Sequence, residues 1–373
     1  MPMVKTVPVN LGERSYDVSV GVDVLGEVGA AVESLAAAGR AVVITDSTVR
    51  GLYAGAVTDS LAAAGVTADV IDFPAGEASK CLAVYGQVMD RLLGLSPAID
   101  RSAVIVAVGG GVTGDLAGFV AATALRGLDY VNVPTTLLAD VDSSVGGKTG
   151  IDAPAGKNLI GAFHQPRAVL IDAAVLKTLP PRELGNGLAE CVKHAVIRDR
   201  SLLEFIEDNA AAIRPADSGV LAELIARNVA IKAAVVAADE RESGRRAHLN
   251  FGHTIGHAIE AACGYGAIGH GEAVSLGMVA ACHIAVARGL IGGDDAGRVR
   301  DLLKALSLPV RFDDLPEIPA RARDPKRLAE IMAHDKKSRA GVPRFVLPTT
   351  LGNVAVFDDV TADLVSDAVN SLE

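Results

Sequence analysis

Residues 103–119 read Ala103-Val104-Ile105-Val106-Ala107-Val108-Gly109-Gly110-Gly111-Val112-Thr113-Gly114-Asp115-Leu116-Ala117-Gly118-Phe119. The six apolar residues at the start predict a buried strand that runs directly into a glycine turn. Gly109, Gly111 and Gly114 have the spacing G-x-G-x-x-G, and the helix that follows can hold a pyrophosphate with its N-terminal amides. Glycines at such turns often have only a steric role, and no acidic residue follows about 20 positions later, as the common fingerprint expects. The position directly after a strand still favours dinucleotide binding.

The segments around this turn repeat the alternation of strand and helix. Short alternating or β-branched runs at residues 16–20, 41–45, 67–73, 130–133 and 168–171 predict further strands. Because strands that alternate with helices favour a parallel sheet, we predict an α/β nucleotide-binding domain with a Rossmann-like parallel sheet.

Asp46 stands at the carboxyl end of the strand predicted at residues 41–45. In nucleotide-binding α/β folds an acid there can accept the adenosine ribose hydroxyls and repel a 2′-phosphate, which favours NAD over NADP. A turn-forming Asp before Ser47 explains the residue equally well, and both interpretations stay open.

Lys148 follows two glycines and precedes Thr149, which imitates the end of a P-loop. The four-residue spacer back to an earlier glycine is missing, so ATP hydrolysis is not expected. A lysine flanked by glycines remains a candidate phosphate ligand, and Lys157 with Asn158 offers a second cation and an amide. The competing interpretation is a solvated loop.

Pro180 and Pro181 separate the α/β part from a region that reads as helical between Arg182 and Leu306. We therefore predict two domains: an NAD-binding α/β domain at residues 1–180 and an all-α domain that binds metal and substrate at residues 181–373. Near the end, residues 344–348 and 354–357 predict a small hairpin.

The C-terminal half contains a group of three histidines. His253 and His257 are four apart on a helical pattern and share one face, and His270 returns after a glycine-rich loop. A single histidine more simply satisfies a buried hydrogen bond, but three together, flanked by Asn250 and Arg246, favour a divalent metal site. His-x-x-x-His lacks the Glu that a zinc protease uses as its base, so peptidase chemistry is not expected.

A metal site of this kind needs a further ligand. Glu190, Lys193 and His194 share a helix face at i, i+3 and i+4, so Glu190 is a candidate ligand, Lys193 a candidate anion contact, and His194 a competitor for the metal. An ordinary surface salt bridge is the alternative. Lys232 lies alone among apolar residues, where a lysine either snorkels to solvent or holds a buried anion.

Composition excludes several classes of protein. The 373 residues include 35 basic and 45 acidic side chains, a net charge of -10, which argues against nucleic acid or an acidic membrane as partner. The four cysteines stand singly, which fits a reducing compartment. The first ten residues have no apolar signal region, and the apolar run at 273–287 is too short and interrupted to span a bilayer. We expect a cytoplasmic protein without a membrane partner.

Taken together, the sequence resembles the 3-dehydroquinate synthase family over most of residues 40–340. The matching stretches are residues 109–119, 134–150, 156–161, 187–193, 249–260, 270–272 and 335–337. The resemblance implies a homodimer that uses NAD and a zinc or cobalt ion held by Glu190, His253 and His270. It assigns proton transfer to His257 and gives His194 no role.

The resemblance also implies a reaction and its binding residues. The family converts a seven-carbon phosphorylated keto acid (DAHP) by oxidation, phosphate elimination, reduction, ring opening and aldol closure. Expected phosphate contacts are Arg126, Lys148, Asn158 and Lys193; expected contacts to the rest of the substrate are Lys232, Arg246, Asn250 and Lys336; expected acid–base or polar partners are Asp142, Glu242, Lys148 and His257. Expected NAD contacts are Asp46, Glu77, Lys80, Gly110, Gly111, Val112, Asp115, Thr135, Thr136, Lys157, Thr178 and Asn186.

Three other functions remain as alternatives. A sister sugar-phosphate cyclase, such as an aminodehydroquinate synthase, has similar requirements. A metal- and NAD-dependent alcohol dehydrogenase of similar architecture does not need so many phosphate-binding cations. A non-catalytic binding protein does not need a metal set together with a nucleotide loop.

Overall fold

The computed structural model describes residues 4–36, 39–240, 245–264, 266–315, 318–334 and 343–373. The predictions for Glu242 and Lys336, and for the side chain of Arg246, lie outside the described part.

The described ranges contain strands β1 to β11. Their bounds are β1 Lys5–Val9, β2 Tyr16–Gly21, β3 Arg40–Asp46, β4 Thr67–Phe73, β5 Val104–Gly109, β6 Tyr130–Pro134, β7 Lys148–Ala153, β8 Gly156–Phe163, β9 Ala168–Asp172, β10 Phe345–Thr350 and β11 Asn353–Phe357.

Helices α1 to α13 lie in the same ranges, together with short 3-10 and π segments. Their bounds are α1 Val28–Glu33, α2 Ser47–Val49, α3 Gly55–Ala63, α4 Leu82–Leu93, α5 Gly111–Thr123, α6 Pro181–Arg198, α7 Arg200–Ile213, α8 Ser218–Ala238, α9 His253–Cys263, α10 His270–Ala287, α11 Gly293–Ala305, α12 Pro325–His334 and α13 Ala362–Asn370.

The chain divides into two compact units. The first comprises Met1–Leu179 and Leu221–Glu240, and the second comprises Pro180–Val220 and Arg241–Glu373. The first unit therefore includes most of helix α8, a segment that the sequence prediction placed in the second domain.

A seven-stranded sheet forms the centre of the first unit, in the order β1-β2-β9-β6-β5-β3-β4. All neighbouring pairs are parallel except β1 with β2. Successive side chains of a strand point to opposite faces, so β5 contributes Ile105 and Ala107 to one apolar core and Val104, Val106 and Val108 to the other. Burial on both faces explains why these strands read as unbroken apolar runs, and the predicted α/β fold class is confirmed.

A separate hairpin, β7 with β8, belongs to the same unit. Its antiparallel register pairs Lys148 with Phe163 and Gly150 with Gly161. Strand β8 pairs only with β7 among the described strands and exposes apolar side chains at Leu159, Ile160 and Phe163. The solvated loop considered for this region is thus an ordered hairpin.

Helices dominate the second unit, with one hairpin, β10–β11, at the position that the sequence predicted. Helix α10 packs against α6 and α9. Its 18 residues meet the length and hydropathy expected of a membrane span, unlike the shorter apolar run considered above, but two thirds of them (67%) are buried inside the protein. This burial identifies α10 as a core helix of its unit.

Candidate active site

The glycine turn between β5 and α5 is the first part of the site. A Cβ on Gly109 would lie 2.4 Å from the Thr113 hydroxyl, so only glycine fits where the strand turns into the helix. Gly110 is the N-cap in extended conformation, and Gly111 and Val112 begin the helix, half-buried. The Thr135 backbone amide donates to the Gly109 carbonyl at 3.0 Å, while its buried hydroxyl has no hydrogen-bond partner in the described part of the chain. The backbone amides at the N-terminus of α5 and the unsatisfied Thr135 hydroxyl suit a phosphate-bearing ligand.

Asp46 ends strand β3 next to this turn. One carboxylate oxygen caps α2 by accepting from the amides of Thr48 at 2.9 Å and Val49 at 3.0 Å, and the other accepts from the Thr113 hydroxyl at 3.3 Å. The turn-forming role is therefore present. The ribose contact stays a prediction.

Four of the predicted NAD contacts meet in two ion pairs. Lys80, which is 6% exposed, pairs with Asp115 and donates to the Asn158 side-chain oxygen at 2.6 Å, and Lys157 pairs with Glu77 at 3.2 Å. Burial raises the pKa of Asp115, and Lys80 partly offsets this shift. Asn158, expected at the phosphate, thus lies against residues expected at the nucleotide.

Asp142 and Lys232 form a second polar group in the first unit. They are 90 residues apart in sequence, and the Lys232 ammonium donates to the Asp142 carboxylate. Lys232 is 5% exposed, so its charge is held inside the protein beside an anion rather than snorkelling to solvent.

The remaining predicted residues of the first unit lie at turns and element ends. Arg126 is exposed with a left-handed backbone (φ 69°), directly after Leu125 at φ 50°. Lys148 is exposed at the start of β7. The Thr136 hydroxyl accepts a hydrogen bond from the Ala139 amide at 3.2 Å. The Thr178 hydroxyl is hydrogen-bonded to the Tyr53 hydroxyl. Two adjacent left-handed non-glycine residues are strained, as is common at functional sites.

A buried cluster in the second unit contains the predicted metal ligands. Glu190 on α6 is fully buried, and its Oε1 lies 3.4 Å from His253 Nε2 and 3.6 Å from His270 Nε2. His257 completes the cluster, with ring centroids 5.0 Å from His253 and 5.8 Å from His270. Nitrogen atoms of the three histidines lie within 4.8 Å of one another.

The charged groups of this cluster change one another's pKa values. Burial opposes ionisation of Glu190, but Lys193, His253 and His270 hold the pKa of Glu190 well below its ordinary value. Burial lowers the pKa of His253 well below its usual range. Burial also acts against the charge on His270, yet interactions with Glu190 and Glu260 raise its pKa to about 9.

These residues fit a divalent metal. Glu190 Oε2 accepts from the Lys193 ammonium, whereas Oε1 is buried without a hydrogen-bond partner among the described residues. An unsatisfied buried carboxylate oxygen facing two imidazole nitrogens matches the donor set of zinc or cobalt, and one carboxylate with two imidazoles leaves positions open for substrate.

Two further observations concern residues around the cluster. The Asn186 amide accepts from the Gly271 amide at 2.9 Å and donates to Glu183 at 3.1 Å, so it ties α6 to the start of α10. Asn250 lies half-buried at the end of the short helix before His253.

Glu260, which sequence reasoning missed, lies 3.4 Å from His270 Nδ1. The available signal in the sequence was its spacing of three residues from His257 and seven from His253, which places the three side chains on one helix face.

Comparison with solved structures defines the class. The 2-epi-5-epi-valiolone synthase of Streptomyces hygroscopicus, solved with NAD+ and Zn2+, is 31% identical with a TM-score of 0.85 and covers 97% of this chain and 98% of that one. A 2-deoxy-scyllo-inosose synthase complexed with carbaglucose-6-phosphate, NAD+ and Co2+ is 28% identical with a TM-score of 0.86 and full coverage of both chains. The fold is that of these two sugar-phosphate cyclases, both of which were solved with NAD+ and a divalent metal.

Comparison with related sequences identifies the family to which this chain belongs. The model of the 3-dehydroquinate synthase N-terminal domain matches residues 70–186, and that of the C-terminal domain matches residues 187–338. The 3-dehydroquinate synthase of Geobacter metallireducens is 49% identical over 352 residues, covering 94% of this chain and 95% of its own. The chain belongs to the 3-dehydroquinate synthase family, and the resemblance seen in the sequence is confirmed.

Proposed function

We propose that the protein is a 3-dehydroquinate synthase, a phosphate-eliminating lyase that converts DAHP to 3-dehydroquinate and phosphate. The observation that carries the proposal is the buried Glu190 Oε1, directed at the Nε2 atoms of His253 and His270 in a chain of this family. When bound, NAD supplies a hydride acceptor that is regenerated within each turnover, and zinc or cobalt supplies a Lewis acid for a substrate hydroxyl.

The nucleotide-binding role rests on the first unit. The glycine turn and Thr135 offer donors to the pyrophosphate, and Asp46 stands at the strand end where a ribose is expected. The ion pairs of Lys80 with Asp115 and of Lys157 with Glu77 order the polar groups on the nucleotide side. Thr136, Thr178 and residues 110–112 complete the proposed contacts of this unit, and Asn186, on α6 of the second unit, is a separate proposed contact.

The substrate-binding role is assigned residue by residue. Arg126, Lys148, Asn158 and Lys193 hold the phosphate by charge-assisted hydrogen bonds, and Lys232 and Asn250 hold the rest of the substrate together with Arg246 and Lys336. Asp142 orients the Lys232 ammonium, with which it is paired. His257, at the edge of the histidine cluster, moves a proton, and Glu242 is a further acid–base candidate.

We further propose that the protein acts as a cytoplasmic homodimer. Strand β8 supports this assembly because it is an edge strand whose Leu159 and Phe163 side chains are 42% and 52% exposed. An exposed apolar edge is an aggregation hazard unless another chain covers it, and a second copy of this chain is the simplest cover.

An assay of phosphate release tests the reaction. Purified protein should release one phosphate for each DAHP consumed, with NAD needed only in catalytic amounts, no accumulation of NADH and dehydroquinate identified by mass. A chelator should abolish turnover, and zinc or cobalt should restore it. Stoichiometric NADH would instead indicate an alcohol dehydrogenase.

Substrate choice distinguishes this enzyme from its sister cyclases. Lys232 is buried and paired with Asp142, and a substrate carboxylate gives the cation a second anionic partner that a sugar phosphate without a carboxylate lacks. Loss of a charged partner costs about 2–5 kcal/mol, or about one and a half to four decades in rate constant. Sedoheptulose 7-phosphate should therefore be a very poor substrate, and turnover comparable to that of DAHP would leave only the wider cyclase class.

A further inference from the structure

Glu260 is a buried carboxylate to which the proposed reaction gives no role. It lies on α9, seven residues after His253 and three after His257, so all three side chains share one face of the helix. The residue is 6% exposed, and its Oε2 lies 3.4 Å from His270 Nδ1. A carboxylate held this far from water contributes to the fold only if it is hydrogen-bonded or paired.

The two nitrogens of the His270 ring face different carboxylates. Nδ1 faces Glu260, whereas Nε2 lies 3.6 Å from the unsatisfied Oε1 of Glu190. A neutral imidazole carries one proton, and a carboxylate that accepts it at Nδ1 leaves the Nε2 lone pair available. Glu260 lies on the Nδ1 side of the ring, so it acts on the ring and is not itself a ligand.

His253 has the matching arrangement. Its Nδ1 lies 3.0 Å from the Phe251 carbonyl oxygen, which can only accept, and its Nε2 lies 3.4 Å from Glu190 Oε1. Each of the two rings therefore has an acceptor at Nδ1 and directs Nε2 toward the same point. The difference is that the acceptor for His270 is charged.

We propose that Glu260 is a positioning residue that fixes the tautomer and orientation of His270 and increases the affinity of the site for its metal. The inference rests on the proposed metal site. Metal-bound histidines commonly donate their second N–H to a carboxylate or carbonyl, which orients the ring and raises the basicity of the ligand atom. Loss of such a partner typically reduces metal affinity by about 10–100-fold.

Cobalt titration of the full-length, metal-stripped protein tests this role, followed by visible absorption. Glu260→Ala should weaken Co2+ binding by about 10–100-fold, and Glu260→Gln, which keeps an acceptor for Nδ1–H, should weaken it less. Glu204→Gln, at an exposed side chain of α7 in the same unit, is the matched control and should bind as the wild type does. NMR shifts of the His270 ring nitrogens in the Zn2+-loaded protein should report Nδ1–H in the wild type and in Glu260→Gln.

Two outcomes would overturn the proposed role of Glu260, and a third would overturn only the proposed function. Unchanged Co2+ affinity in Glu260→Ala, with only a lowered melting temperature, would show that Glu260 has a purely structural role. A wild type that binds no Co2+ would overturn this inference together with the metal site. A wild type that binds Co2+ but does not turn over DAHP would overturn the proposed function alone, because the ratio of affinities still decides the role of Glu260.

Discussion

At the scale of single residues, the site depends on charges that are buried together. Lys193 and Glu190 are 2% and 1% exposed at the side chain and form an ion pair across one helical turn. Taking both charges out of water is expensive, and the pair is tolerated because each neutralises the other. The second carboxylate oxygen of Glu190 makes no hydrogen bond within the described residues, so one residue both completes an ion pair and offers a proposed metal ligand.

Removal of Lys193 should destabilise the metal-free protein strongly. Lys193→Met removes the ammonium that donates to Glu190 Oε2, and breaking such a buried pair costs about 3–5 kcal/mol of the free energy of unfolding. Added Zn2+ should recover part of this loss, since a divalent cation can replace the lost charge. Urea unfolding with and without metal measures both effects. The control is Lys304→Met, a lysine near the end of α11; equal destabilisation of the two variants would contradict the prediction.

Asp140 should make stability depend on pH. It is fully buried, and neither carboxylate oxygen has a hydrogen-bond partner among the described residues. Burial and the nearby Asp172 raise the pKa of Asp140 well above its ordinary value. The stabilisation associated with protonated Asp140 is therefore fully present below the pKa of about 3.9 that the group has in the unfolded chain. It is lost as pH rises through the pKa of the folded state, and the free energy of unfolding falls by up to about 1.4 kcal/mol per pH unit.

Asp140→Asn removes this titration and should flatten the decline of stability above about pH 4. Urea unfolding of wild type and variant between mildly acidic and mildly alkaline pH checks the slope. Asp301→Asn, whose side chain is 71% exposed, serves as the control. The same slope in wild type and Asp140→Asn would mean that Asp140 does not titrate in this range.

At the scale of elements, the distance between α9 and α10 sets the geometry of the histidines. A Cβ on Gly277 of α10 would lie 1.9 Å from the Gly252 carbonyl oxygen, so the two helices can approach this closely only without a side chain there. His253 begins α9 and His270 begins α10. The packing of backbone against backbone therefore positions two proposed metal ligands that are 17 residues apart in sequence.

Gly277→Ala should separate these helices and reduce both stability and Co2+ affinity. Overpacking of this kind costs about 1–3 kcal/mol or more, since the contact is with backbone that cannot rotate away. Gly297→Ala in α11 is the matched control, because the nearest atom to its Cβ is 4.0 Å away and alanine favours the helix by about 0.5–1 kcal/mol. Thermal unfolding and cobalt titration of both variants distinguish the two effects; a Gly277→Ala protein with normal affinity would refute the argument.

At the scale of the whole molecule, the exposed apolar edge of β8 is the proposed surface of the homodimer. Phe163→Glu on β8 should shift the proposed homodimer toward monomer, since a buried unpaired charge at an interface is strongly unfavourable. Sedimentation velocity over a range of concentrations measures the distribution of species. Val286→Glu, at a side chain of the second unit that is 37% exposed, is the control; unchanged dimer in both variants would exclude β8 as the interface.

Local patterns were sufficient for much of the fold. The apolar run of β5, the glycine turn and the start of α5 follow from residue order, because a strand buried on both faces needs uninterrupted apolar side chains. The hairpin β7–β8 could not be predicted in this way. Its paired Gly150 and Gly161 approach so closely that a Cβ on Gly161 would lie 2.1 Å from the Thr149 carbonyl oxygen, and such glycines lower the strand propensity that sequence reasoning uses.

For the proposed site, the sequence by itself determined the types of candidate ligand and their spacing along each helix. His253 and His257 share a face of an α-helix, and Glu190 and Lys193 do so on α6. Only the tertiary structure decided that the Glu190–Lys193 pair is buried rather than on the surface, that Asp140 has no partner among the described residues, and that Glu260 meets the far nitrogen of His270. Burial and ring orientation depend on contacts between helices, and spacing along one helix carries no information about them.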